Sequence, residues 1–156
     1  MALLPVMIAC NTAKAPVAPV PVVDSLRGTW RIAAFEIAPD ADTTQHPLPF
    51  GVSPVGYLVY DATGHVFWQV YRRSAMDSLM IGRQRHLPDS MLMRLSRGFS
   101  AQFGTYSVDA QKRTVTHHHE GELPPWGESF EVATPFRLAG DSLFIGASDW
   151  RFVRVK

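Results

Sequence analysis

A single cysteine, Cys10, stands among 156 residues, so no intramolecular disulfide can hold this chain and its stability has to come from a core. An excess of either charge is also missing: 15 Lys+Arg against 14 Asp+Glu leave a formal net charge of +1. A duplex-binding surface requires a basic face, so nucleic acid is not an expected partner. Long apolar runs are absent near the start, where Ala2–Ala9 falls far short of the roughly 20 residues of a membrane-spanning helix. No serine sits in a strand-to-helix nucleophile elbow, and no glycine-rich phosphate loop follows a strand. What the chain does have is apolar character, with 46% hydrophobic and 19% charged residues, well away from the composition of disordered chains. Its length suits one domain with a short appendage, which buries about 69% of the surface of the unfolded chain.

The appendage divides into two parts. Residues 1–10 end in Met7-Ile8-Ala9-Cys10, which resembles a bacterial lipobox, where a small residue precedes a cysteine that is lipidated. The resemblance implies lipid attachment at Cys10 and a place in the bacterial cell envelope, lipid-anchored or periplasmic, with the lipid as the only contact to a membrane. Residues 11–25 form a linker in which Pro16, Pro19 and Pro21 favour a polyproline II spacer of about 3.1 Å per residue. The alternative reading of this stretch is a frayed, proline-rich terminus.

From residue 26 to 156 the sequence reads as strands. Short segments rich in Val, Ile, Phe, Tyr and Trp recur about every 8 to 12 residues, a pattern of all-β sandwiches and barrels. Eight strands are expected, at Gly28–Ile37, Val55–Asp61, His65–Arg72, Gln102–Asp109, Thr114–Glu120, Ser129–Ala139, Ser142–Gly146 and Trp150–Val155. Asp61-Ala62-Thr63-Gly64, Asp109-Ala110-Gln111-Lys112 and Ala139-Gly140-Asp141 suit tight reversals, which makes sequential antiparallel pairing the simplest topology. The stretch from Ser74 to Phe99 differs, with Met76, Met80, Met91, Met93 and Pro88. Asp89 or Ser90 is expected to cap a short helix with Leu92, Leu95 and Phe99 on one face. This segment reads either as a plug over one end of the core or as a methionine-rich lid.

Leu26-Arg27-Gly28-Thr29-Trp30 carries a Gly-x-Trp pattern, followed in order by Gly56-Tyr57-Leu58-Val59-Tyr60-Asp61, Phe103-Gly104-Thr105-Tyr106-Ser107-Val108-Asp109, Thr114-Val115-Thr116-His117 and Phe152-Val153-Arg154. The ordered series resembles the bacterial lipocalin-like domain family along nearly all of residues 26–156. The resemblance implies an eight-stranded antiparallel up-and-down barrel with one short helical insertion. It also implies a Trp30 side chain closing the narrow end beneath an arginine of the last strand, Arg154 or Arg151. A function of binding small apolar molecules in the barrel follows from it as well, with a few barrel relatives catalysing cyclisations or isomerisations.

In such a barrel one phase of each strand lines the lumen. In His65–Arg72, Arg72 marks its phase as outer, so His65, Phe67, Gln69 and Tyr71 are expected inside and Trp68 outside, under the segment 74–99. In the fifth strand Val115, His117 and His119 share a face, against the wetter Thr114, Thr116, His118 and Glu120. The expected ligand contacts are Phe67, Gln69, Tyr106, His117, His119 and Trp126, the last in a proline-rich loop that reads as a mouth gate or a rigid turn. Two histidines fall short of a metal site, so no metal or other cofactor is expected. His117 or His119 as general base, with Tyr106 as hydrogen-bond donor, gives the alternative of an isomerase or cyclase. A ligandless interaction module is the third reading, with a filled barrel docking through Trp68 and the methionine-rich segment.

Overall fold

A computed structural model describes residues 22–35, 50–51, 53–74, 88–123, 131–146 and 150–156. Cys10, Trp126, Met76, Met80 and residues 11–21 lie outside the described residues. Eight strands, β1 (Gly28–Phe35), β2 (Pro54–Tyr60), β3 (His65–Arg72), β4 (Phe99–Asp109), β5 (Thr114–Leu123), β6 (Glu131–Ala139), β7 (Ser142–Ile145) and β8 (Trp150–Arg154), pair in chain order and close into one barrel. Among the described residues, the helices α1 (Val22–Leu26) and α2 (Asp89–Ser96) accompany them. Residues 22–25, expected in the linker, instead belong to the first helix.

All pairings are antiparallel, and the seam is made by β1 with β8, where Trp30 faces Arg154 and Ile32 faces Phe152. Up-and-down order gathers the three longest connections at one end. The links 61–64, 110–113 and 140–141 turn at one end, together with α1, while 36–53, 73–98, 124–130 and 146–149 leave from the other. The tight turns have local causes. Asp61 accepts hydrogen bonds from the backbone N–H groups of Thr63 (2.9 Å) and His65 (2.7 Å), and Gly64 takes φ +93°. Asp109 does the same for Gln111 (3.0 Å) and Lys112 (2.9 Å).

The short-turn end is dry. Leu26, Trp30, Leu58, Tyr60, Val115, Leu143 and Phe152 are buried there and along the axis. The Trp30 indole donates to the Leu26 carbonyl at 2.7 Å, and the Arg154 guanidinium lies 4.0 Å above the indole. The same guanidinium donates to the carbonyls of Arg27 (2.6 Å) and Ser25 (2.5 Å), tying α1 to the last strand. Arg154, rather than Arg151, is therefore the arginine over Trp30.

The expected helix after Pro88 forms, but no side chain caps it, and Pro88 itself occupies the capping position in an extended conformation. Met91, Leu92 and Met93 are exposed, and Phe99 already belongs to β4. The single apolar face Leu92–Leu95–Phe99 thus does not exist as a buried surface, because the chain turns at Arg97 and Gly98 and enters the sheet.

Candidate functional site

Side-chain direction in β3 reverses the expectation. Val66 and Val70 are buried, whereas Phe67 is 48% exposed and Gln69 is also on the outer face. Trp68 points inward and reaches across the lumen, its ring 5.1 Å from Trp150 and 5.3 Å from Phe152 of β8, a strand separated from β3 by β1 and β2. Phe67 and Gln69 are corrected accordingly: they cannot touch a molecule held inside the barrel. Arg72 misled because it ends its strand at the wide mouth, where a long side chain in the inner phase reaches solvent.

In β5 the inward phase holds Val115, His117 and His119. Burial against apolar neighbours, with His119 and His118 beside it, lowers the His117 pKa to about 4, so the ring is neutral at physiological pH. Its Nε2 is 2.8 Å from the Tyr60 hydroxyl. Burial, with Tyr106 nearby, pushes that phenol well above the ordinary tyrosine range, so the pair is a hydrogen bond between neutral groups. Tyr106 lies inward on β4 opposite His117, packs edge-on to Tyr60 with ring centroids 4.7 Å apart, and donates to the Asp61 carbonyl at 3.0 Å.

A bulge then changes which residues line the wall. Phe103 pairs with Gly121, but the next residue, Gly104, pairs with His119, leaving Glu120 as the extra residue. A Cβ at Gly104 would overlap the His118 carbonyl oxygen, so glycine permits the close backbone approach at this point. Beyond the bulge the phase shifts by one, and Glu122 joins the inner row opposite Gln102, which faces Trp68 in turn. Gln102 Nε2 donates to Glu122 Oε1 at 3.1 Å.

His119 stacks on His117 with centroids 6.3 Å apart. Its side chain is only 8% exposed, its Nδ1 has no hydrogen-bond partner, and that atom lies 3.9 Å from Glu122 Oε2, beyond hydrogen-bond reach. The result is a polar ladder up one wall, Tyr106, Tyr60, His117, His119, Glu122, Gln102, beginning at the short-turn end and ending near the mouth with long connections. Trp68, Trp150 and Phe152 supply an aromatic cluster beside it, extended by Phe50 at 5.8 Å from Trp150.

Of the six expected contacts, the structure brings Tyr106, His117 and His119 together, sets Phe67 and Gln69 outside, and Trp126 lies outside the described residues. Tyr60, Trp68, Gln102 and Glu122 were not expected. Gly104, a glycine inside a strand, was the available signal for the bulge that turns Glu122 inward. Among the described residues no three His, Cys, Asp or Glu side chains converge as metal ligands.

Comparison with known proteins agrees with this architecture. Neither curated proteins nor solved structures yield a match to the chain. A family model described as a lipocalin-like domain matches residues 27–129, from the strand bearing Trp30 through the histidine strand. With most of the chain matched and the eight-stranded antiparallel barrel in place, the protein belongs to the lipocalin-like domain family.

Proposed function

We propose that this barrel binds one small, largely apolar molecule, held near its wide mouth, and that it works as a carrier in the bacterial cell envelope. The observation that carries the reading is the unpartnered, buried Nδ1 of His119 on a lumen wall beside an aromatic cluster. A buried polar atom left unsatisfied costs about 1–3 kcal/mol, which a ligand's polar group can recover while its apolar body covers Trp68 and Trp150. The contact set becomes His119, Gln102, Glu122, Trp68 and Trp150. Tyr106 and His117 support it from below, their polar atoms already engaged.

A carrier is favoured over an isomerase or cyclase by the state of His117. A base held at about pKa 4, with its Nε2 occupied by Tyr60, is poorly matched to proton abstraction at neutral pH. Fluorescence titration with phenylnaphthylamine is expected to show saturable, one-to-one enhancement, abolished by Trp68→Ala but kept in Phe67→Ala. Absence of enhancement in the unaltered protein overturns the reading. Native mass spectrometry of material purified without detergent should show a co-purified small molecule.

The envelope placement rests on Met7-Ile8-Ala9-Cys10 and the proline-rich stretch that follows. Expression in a bacterial host is expected to yield diacylglycerol on Cys10 by mass spectrometry. A product retaining Met1 overturns that part alone.

A further inference from the structure

We infer that the outer wall of β2–β5 is a self-association surface, on which a second copy of this chain docks. The inference is independent of what the lumen holds. Two neighbouring rows cross this wall: Val59, Phe67, Phe103 and Gly121 in one, and Tyr57, Gln69, Ala101 and Leu123 in the other. Neither row contains a charge, and Gln69 with the Tyr57 hydroxyl supplies their only polar side-chain atoms. Phe67 lies directly opposite Phe103, and a Cβ at Gly121 would overlap the Phe103 ring, so the glycine lets that ring rest on β5. The wall is nonetheless open to water: Tyr57, Phe67, Phe103 and Leu123 are 48–59% exposed.

The size of this apolar area fits a small dimer. An aromatic side chain has about 150–250 Å² to bury and a leucine somewhat less, so four such groups at half exposure offer roughly 400 Å². A standard interface covers about 800 Å² per partner, of which about 65% is apolar between identical copies, or roughly 520 Å². Half-buried Val55, Tyr71 and Phe99, the next row toward the mouth, make up the difference. A membrane is a poorer occupant, because surfaces that meet lipid head groups set Lys or Arg around their apolar part, and these rows have none. The same wall of a second copy suits it better. Two uncharged faces meet about a two-fold axis without bringing like charges together, and a net charge of +1 adds little repulsion at a distance. A barrel wall is convex, which keeps the contact at the small end of the range, with an expected Kd of about 10–100 µM. The copies are therefore separate at the low-micromolar concentrations of a probe titration.

Sedimentation equilibrium of the full chain carrying Cys10→Ser, in which neither a lipid nor a disulfide can join copies, is expected to show monomer and dimer exchanging between about 2 and 500 µM. Phe103→Lys and Leu123→Lys, both at exposed side chains, should weaken the dimer at least about tenfold. Ala139→Lys, exposed on the far hairpin between β6 and β7, should leave it unchanged. A chain that stays monomeric throughout this range overturns the inference whatever the variants do. So does weakening by Ala139→Lys as large as by the other two, or no weakening by either of them. Flotation with neutral phosphatidylcholine vesicles in place of self-association assigns the wall to a membrane and overturns it likewise. If the chain dimerises and no probe enters the barrel, this inference stands and the carrier reading alone fails.

Discussion

One end of the barrel is finished by three short hairpins and a helix, and its side chains are sealed from water; the other carries every long connection and keeps Trp68, Gln102, Glu122 and Trp150 half-buried. The first end joins its parts by bonds that leave few polar atoms over. Trp30, Arg154 and the carbonyls of α1 satisfy one another. Toward the second end the polar ladder passes an imidazole nitrogen with no hydrogen-bond partner, that of His119. The difference separates the work of holding the fold from the work of holding a guest, and it places them about one strand length apart.

Breaking the closed end should do the most damage. Trp30→Ala removes a fully buried indole and its bond to Leu26, and is expected to cost about 3–5 kcal/mol in urea unfolding. Trp68→Ala, at the half-buried end, should cost clearly less and abolish probe binding; the reverse ranking would erase the contrast between the ends.

Next in size is the acid response of the ladder. The His117 pKa falls from 6.5 in the unfolded chain to about 4 in the fold, so the unfolded state binds a proton that the folded state refuses. Stability therefore declines as pH drops through the window from about 6.5 to about 4, by about 3 kcal/mol in total, and levels off below it. His117→Gln, which preserves a partner for Tyr60, should flatten that slope in pH-dependent unfolding. Asp61, Asp109 and Asp141 have lowered pKa values, through their bonds to Thr63, Lys112 and Lys156 respectively, so the stability they contribute is lost only at lower pH. An unchanged slope in the variant would show that His117 does not report on the ladder.

Arg154→Lys sharpens the comparison from the other side. It keeps the charge but loses the planar fork that reaches two carbonyls and covers the indole, for an expected loss of about 1–2 kcal/mol with probe affinity unchanged. The smallest effect should be Phe67→Ala, within about 0.5 kcal/mol by thermal unfolding and without influence on binding, because this ring is on the outer face. A large effect on binding would restore the inner assignment of Phe67.

The closed end was readable in the sequence because its signals are local. A glycine before a buried tryptophan, aspartates two residues before a backbone turn, and glycines at positive φ each act within a few residues. The face of β5 was readable too, since Val115 lies with His117 while threonines and Glu120 lie on the other side. The mouth was not. In β3 both phases carry aromatics, and the one arginine, Arg72, ends the inner phase at the mouth and so points to the wrong face; only the contact across the barrel chooses between Phe67 and Trp68. Glu122 was hidden for another reason: one extra residue in β5 reverses the parity of everything after it, and the hint of it lies on the partner strand, at Gly104.

The clasp between Arg154 and α1 also has a consequence for synthesis. The first strand cannot complete its pairing, nor the first helix find its hydrogen-bond donor, until Trp150–Arg154 has left the ribosome. A nascent chain lacking β8 presents two unpaired edges, β1 and β7, and Trp30 without its lid. Removing β8, a handful of residues, should therefore be felt in soluble yield far more than its size suggests, whereas lengthening a mouth connection should pass almost unnoticed.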